Sequence, residues 1–188
     1  MKQALTLTDT QYRQVIAYCN ARTHTLRDQT IIHVSFLAGL RAMEIAGLSI
    51  CDVYDHTDAV RDQFNISGTQ TKGGHTRAVY VSRKFKRVLE QYYPSLQHRT
   101  PTDPLFQTQI QTRFSANTMC QLFLQIYKDC GLKGASSHSG RRTFITKLAN
   151  TGINVRLLAA LSGHQHISTT QRYIDVNDAQ LAQAVELI

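Results

Sequence analysis

Seven polar side chains stand out beside apolar stretches of this 188-residue sequence: Arg41 and Glu44 in GLRAMEIAGL, Lys72 in TQTKGGHT, His138 and Arg141 in SHSGRRT, His164 in LSGH and Tyr173 in TTQRYIDV. Their types suit work on an anion. An arginine offers a planar, permanently charged fork of donors, an imidazole can move protons near neutral pH, and a tyrosine hydroxyl can serve as a covalent nucleophile once it sheds its proton. Each residue also has an ordinary reading. Arg41 and Glu44 are spaced for a helix-surface ion pair worth only about 0.2–0.5 kcal/mol. His138 can simply follow a capping serine, Lys72 can be an exposed turn residue, His164 and His166 can be half of a metal site, and Tyr173 beside Ile174 can be core.

The elements that must carry these residues are mostly helical. Thr8-x-x-Gln11 is a capping box, and Tyr12, Val15, Ile16 and Cys19 follow at helical spacing, which predicts a helix from Thr8 to Asn20. Further helices are expected at Asp28–Leu40, Arg41–Gly47 and Arg83–Tyr93, the last stopped by Pro94. Ser115 should cap a helix with the stripe Met119, Leu122, Phe123, Ile126 and Cys130, ending at Gly131. Ser137 should open a helix through Asn150, Asn154 one through Leu161, and Ser168 a short one carrying Tyr173. A last amphipathic helix is expected in DAQLAQAVELI. QFNIS and RAVYVS flank Gly73-Gly74 and read as a β-hairpin, with room for a third strand near Val53 or Val60. The fold class is therefore mainly α with a small antiparallel β-sheet.

The chain carries 21 Lys+Arg against 13 Asp+Glu, a formal charge of +8. Twelve of the 21 basic residues lie in two windows without acids, Gln63–Leu89 and Cys130–Ile174. Brought together, these windows would form a positive cleft that tracks phosphates. Arg83, Lys84, Arg142 and Arg172 are its candidate contacts, and His75 and Arg77, close to Lys72, are expected to touch backbone phosphates. The composition excludes disorder, collagen and coiled coil. No apolar run is long enough to span a membrane, and MKQALTLTD lacks the marks of a signal peptide, so a cytoplasmic protein is expected. Cys19, Cys51, Cys120 and Cys130 have no paired spacing and read as reduced core thiols. Neither a nucleotide-binding loop nor an H-E-x-x-H pair occurs, so no cofactor or catalytic metal is indicated.

The ordered set Arg41, Glu44, Lys72, His138, Arg141, His164 and Tyr173 resembles the tyrosine recombinase, or phage integrase, family along nearly the whole chain. The resemblance implies the DNA breaking-rejoining catalytic-domain fold and a site-specific recombinase that cleaves and rejoins double-stranded DNA through a 3′-phosphotyrosyl link, in integration, excision or inversion. It implies Tyr173 as nucleophile, Arg41 and Arg141 on the phosphate, Lys72 as general acid, His138 in proton transfer, His164 on the phosphate and Glu44 as orienting support. Many family members read H-x-L-R-H, whereas this chain has His138-Ser139-Gly140-Arg141-Arg142; the catalytic pair is kept, while local packing must differ. About 40 residues precede Arg41, so one catalytic domain over 1–188 is expected without the separate helical clamp. Such a protein should assemble as a homotetramer on DNA or with a partner recombinase, and lean on a host DNA-bending factor. A non-cleaving accessory protein that activates another recombinase, a type IB topoisomerase-like enzyme and a metal-dependent nuclease remain as alternatives.

Overall fold

The computed structural model describes residues 4–68, 74, 76–174 and 185–186. The chain divides into two compact units, Met1–Phe144 and Ile145–Ile188.

Local capping chemistry sets out the first unit. Helix α1 spans Asp9–Asn20, with Thr8 Oγ accepting the Gln11 amide at 3.2 Å and the Gln11 side chain accepting the Thr8 amide at 2.9 Å. Helix α2, Thr25–Ala38, starts three residues earlier than expected because Asp28 does not cap it. Asp28 lies buried in the first turn, between Arg22 and Arg27 at 2.7 and 2.8 Å. Gly39 then ends the helix in the left-handed conformation, φ 64°. Short helices α3, Ala42–Gly47, and α4, Ile50–Val53, follow. The expected third strand near Val53 does not form: Asp52 accepts the Ser49 amide at 2.8 Å and holds a helical turn there, so only an isolated bridge between Tyr54 and Val60 remains.

The hairpin is as expected. Strands β1, Gln63–Ile66, and β2, Arg77–Tyr80, pair antiparallel with Phe64 opposite Val79 and Ile66 opposite Arg77. Phe64, Ile66 and Val79 point inward while Gln63, Asn65 and Tyr80 face out, the period of a sheet covered on one side. Helix α5, Arg83–Tyr92, is capped by Ser82, and Pro94 falls in a 3-10 turn, Tyr93–Leu96. Helix α6, Ala116–Asp129, is capped by Ser115 and buries Met119, Phe123 and Ile126. Helix α7, Ser139–Ala149, begins two residues later than expected because Ser139 Oγ accepts the Ser136 amide at 2.9 Å and closes a turn ahead of it. Cys19 and Cys130 are core, but Cys51 is exposed and Cys120 half-buried, a correction to the reading of four core thiols.

The core gathers on α2, whose Ile31, Ile32, Val34 and Phe36 are all buried. Tyr54 and Tyr92 join it, each donating its hydroxyl to a carbonyl, of Leu89 at 2.7 Å and of Leu105 at 3.3 Å. Satisfying the phenol lets a bulky ring be buried at little cost.

In the second unit Asn154 caps α8, Val155–Ser162, by accepting the Arg156 amide at 2.8 Å. Gly163 ends that helix with φ 62°. Helix α9, Ile167–Gln171, starts at a His166 N-cap and stops before Tyr173, which lies in the turn beyond it. The expected last helix falls almost wholly outside the described residues. No helix among the described residues is long and apolar enough to cross a membrane.

Candidate functional site

The turn from α2 into α3 gathers three guanidiniums. Arg41 is the N-cap of α3; its backbone amide donates to Glu44 Oε2 and its Nη1 to Glu44 Oε1, both at 2.8 Å. From β2, Arg77 Nη2 donates to the same Oε2 at 2.8 Å. From α7, Arg141 Nη1 donates to the Gly39 carbonyl at 2.7 Å. The two acid-free windows thus meet at residues belonging to neither. Glu44 is fully buried, which taken alone would raise its pKa; the hydrogen bond and charge of Arg77, then those of Arg41, outweigh burial and hold it below the ordinary carboxylate value. This carboxylate is ionised at neutral pH.

Two glycines permit the approach. A Cβ on Gly39 would lie 2.4 Å from Phe144 Cδ1, and one on Gly140 would lie 2.4 Å from Ser35 Oγ and 2.7 Å from Phe36 Cδ2. Gly140, the departure from the family pattern, therefore lets the first turn of α7 settle directly on α2 and brings Arg141 to the Gly39 carbonyl. His138 stands just before α7 and is exposed; its amide donates to Ser136 Oγ at 3.3 Å and its carbonyl accepts the Arg142 amide at 2.8 Å.

In the second unit His164 and Tyr173 form a pair. Their rings stack with centroids 5.9 Å apart and planes 26° apart. His164 Nδ1 and the buried Thr170 Oγ1 are 2.9 Å apart, and the Thr170 carbonyl accepts the Tyr173 amide at 3.0 Å. Thr170 therefore locates both the imidazole and the backbone of the tyrosine.

Of the residues singled out in the sequence, Arg41, Glu44 and Arg141 come together in the first unit, and His164 with Tyr173 in the second. Lys72 and His75 lie outside the described residues. Arg83, Lys84 and Arg172 are exposed and Arg142 is half-buried. Arg77, expected on backbone phosphates, has its Nη2 on Glu44, and its side chain is only 9% exposed against 28% for Arg41. Thr170 was not singled out; six residues from His164, it is brought back to the imidazole by the turn between α8 and α9 rather than by a helical spacing. Among the described residues no three His, Cys, Asp or Glu are grouped to hold a metal.

A family model described as the phage integrase family matches residues 6–180. The chain is 28% identical over 162 residues to tyrosine recombinase XerC of Pelobacter propionicus, covering 86% of this chain and 51% of that protein. It is 28% identical over 183 residues to tyrosine recombinase XerA of Pyrococcus horikoshii, covering 96% of this chain and 60% of that one. The chain thus spans little more than half the length of these curated relatives. Among solved structures, the Tn1549 transposon integrase in complex with circular intermediate DNA superposes with a TM-score of 0.81 at 20% identity, covering 100% of this chain and 68% of that one. A crystal structure of XerA recombinase gives 0.75 at 23% identity, covering 99% and 66%. These superpositions establish the fold, a mostly helical catalytic-domain architecture with a small antiparallel sheet.

Proposed function

Because the chain belongs to the phage integrase family, we propose that it is a site-specific DNA recombinase that cleaves and rejoins DNA through a 3′-phosphotyrosyl intermediate on Tyr173. The observation that carries this reading is the convergence of Arg41 and Arg141, a hundred residues apart, on the single turn that Gly39 begins. Among the described contacts, three guanidiniums stand to one carboxylate at that turn, a surplus of two positive charges. A phosphodiester carries one negative charge and its five-coordinate transition state two, so the surplus is matched to the transition state rather than to the ground state.

In the proposed reaction the Tyr173 hydroxyl loses its proton, with His138 serving proton transfer, and its oxygen attacks phosphorus. The bond to the 5′ oxygen breaks, Lys72 gives that oxygen a proton, and a 5′ hydroxyl leaves. The phosphodiester energy is kept in the new bond, so attack by another 5′ hydroxyl reverses the sequence without ATP. Arg41 and Arg141 neutralise the non-bridging oxygens. His164, its Nδ1 engaged with Thr170, turns Nε2 to the phosphate while its ring supports the tyrosine.

Double-stranded DNA is the substrate, held in a homotetramer or with a partner recombinase and aided by a DNA-bending factor. The segment from Asp178 onward is proposed to dock into a neighbouring protomer, so removing it should abolish assembly on DNA; assembly that survives the deletion defeats that role.

A nicked suicide substrate tests the reaction. Wild type should leave a covalent adduct on a denaturing gel and Tyr173→Phe none. Binding without an adduct in the wild type makes the chain an accessory protein, relaxation of plasmid lacking any target site makes it a topoisomerase, and loss of cleavage in EDTA makes it a metal-dependent nuclease.

A further inference from the structure

Arg77 has a place in this site that its position in a basic window does not suggest. It is the first residue of β2, opposite Ile66, and reaches Glu44 across 33 residues of sequence. Its side chain is 9% exposed while that of Arg41, on the other oxygen of the same carboxylate, is 28% exposed. The two guanidiniums therefore flank Glu44 unequally, Arg77 from the buried side and Arg41 from the side open to solvent. A phosphate arriving from solvent meets Arg41.

Without Arg77, the whole charge of a fully buried carboxylate would fall on Arg41. A buried ion responds by drawing its remaining partner into a two-pronged pair. Arg41 would then be turned inward, its charge cancelled by Glu44. With Arg77 present the three groups carry a net single positive charge, and one oxygen of Glu44 is fixed by Arg77 and the Arg41 amide while the other takes a single prong of Arg41.

We propose that Arg77 is a positioning residue for strand cleavage: it takes Glu44 Oε2 from the buried side, fixes the carboxylate and thereby keeps the Arg41 guanidinium turned outward for the scissile phosphate. The inference rests on the recombinase reading above. It also ties the strand that follows the Lys72 segment to the arginine on the far side of Glu44, since only four residues lie between Lys72 and Arg77.

The test is single-turnover cleavage of the suicide substrate by the full chain at saturating DNA, with affinity measured separately across a salt series. Arg77→Met should slow cleavage about tenfold to a hundredfold, the scale of a misplaced reacting group, while Kd changes less than about twofold. Arg77→Lys, which restores the charge without the fork, should recover part of the rate. The Arg77→Met/Glu44→Gln double variant should cleave no more slowly than Glu44→Gln alone, because Arg77 acts only through Glu44. That last pair stays informative even where Arg77→Met alone fails to fold, since neither of its members holds a buried carboxylate deprived of its cation. Multiplying losses in the double variant overturn the proposal. So does a loss of affinity with a salt slope lower by about one, the signature of a phosphate contact. Wild type without an adduct overturns the recombinase reading itself, whereas a wild-type adduct matched by Arg77→Met overturns only the role given to Arg77.

Discussion

Both ends of α2 carry a buried carboxylate between two guanidiniums, and the two groups are built to opposite ends. At the N-terminal end Asp28 accepts Arg22 Nε at 2.7 Å and Arg27 Nη2 at 2.8 Å. Arg27 also donates to the Gln107 carbonyl at 2.9 Å and covers the Phe114 ring, while Tyr18 links Arg22 to a second acid, Asp129, at 2.6 Å. Two cations meet two anions there, and the charge sums to zero. Beyond the C-terminal end, Arg41 and Arg77 share Glu44 while Arg141 holds the Gly39 carbonyl, three guanidiniums to one carboxylate among the contacts described. About 15 Å of helix, from Asp28 to Ala38, lies between the two groups. The first closes a fold, whereas the second, among the described contacts, holds more guanidiniums than carboxylates. Counting compensating charge, rather than arginines, tells a structural cluster from a functional one.

Removing one member of each group should separate stability from cleavage. Asp28→Ala leaves two guanidiniums uncompensated in a buried place and should cost about 3–5 kcal/mol in urea unfolding, with cleavage by the folded fraction unchanged within about twofold. Cleavage lost without any loss of stability would dissolve the distinction between the two ends. Arg141→Met removes charge where it is in excess. It should lower single-turnover cleavage by about a hundredfold to a thousandfold and disturb unfolding far less than Asp28→Ala.

Gly140→Ala lies between these cases. Its Cβ would press on Ser35 Oγ and Phe36 Cδ2, at a cost of about 1–3 kcal/mol, and would lift Arg141 away from Gly39, so stability and cleavage should fall together. Thr8→Ala touches neither end of α2 and should cost about 1 kcal/mol through its lost cap, with the cleavage rate intact.

The smallest effect is on pH. Burial, then the charge of Lys84, lowers His33 from 6.5 to about 4. The folded state therefore refuses a proton that the unfolded chain accepts across that window, so stability falls as pH drops from 6.5 toward 4. Glu44 works in the same direction lower down: held below its ordinary 4.5, its contribution is intact above that value and lost as pH falls through its folded pKa. His33→Gln should flatten the upper slope in unfolding curves and leave the lower one.

Features written in neighbouring residues were legible before the structure. The Thr8 box and the Ser115 and Asn154 caps depend on contacts within one turn, the hairpin and the stripe of α6 on a short repeating period, and the Arg41–Glu44 pair announces itself at i, i+3. The ordered polar boxes carried the family for a different reason, since their spacing reflects one shared scaffold. Arg77 on Glu44 was not legible, because a bond across 33 residues depends on where β2 lies against α3. The same holds for Val53, whose β-branched side chain suggested a strand until the Ser49–Asp52 turn set it in a helix. Thr170 was hidden because its partners are fixed by a turn, not by a period.

Gly140 also constrains how this lineage can change. Its neighbour Phe36 is buried and stacks on Tyr12 at 4.6 Å between ring centroids, so the floor beneath residue 140 is already filled. The apolar residue common in relatives fits there only once Phe36 has become smaller. The two positions must move as a pair, and the order matters: shrinking Phe36 first opens a cavity that the fold can carry for a time, whereas enlarging residue 140 first drives α7 off α2 and disarms Arg141 at once. Sequence histories of this branch should therefore show position 36 changing before position 140, not after.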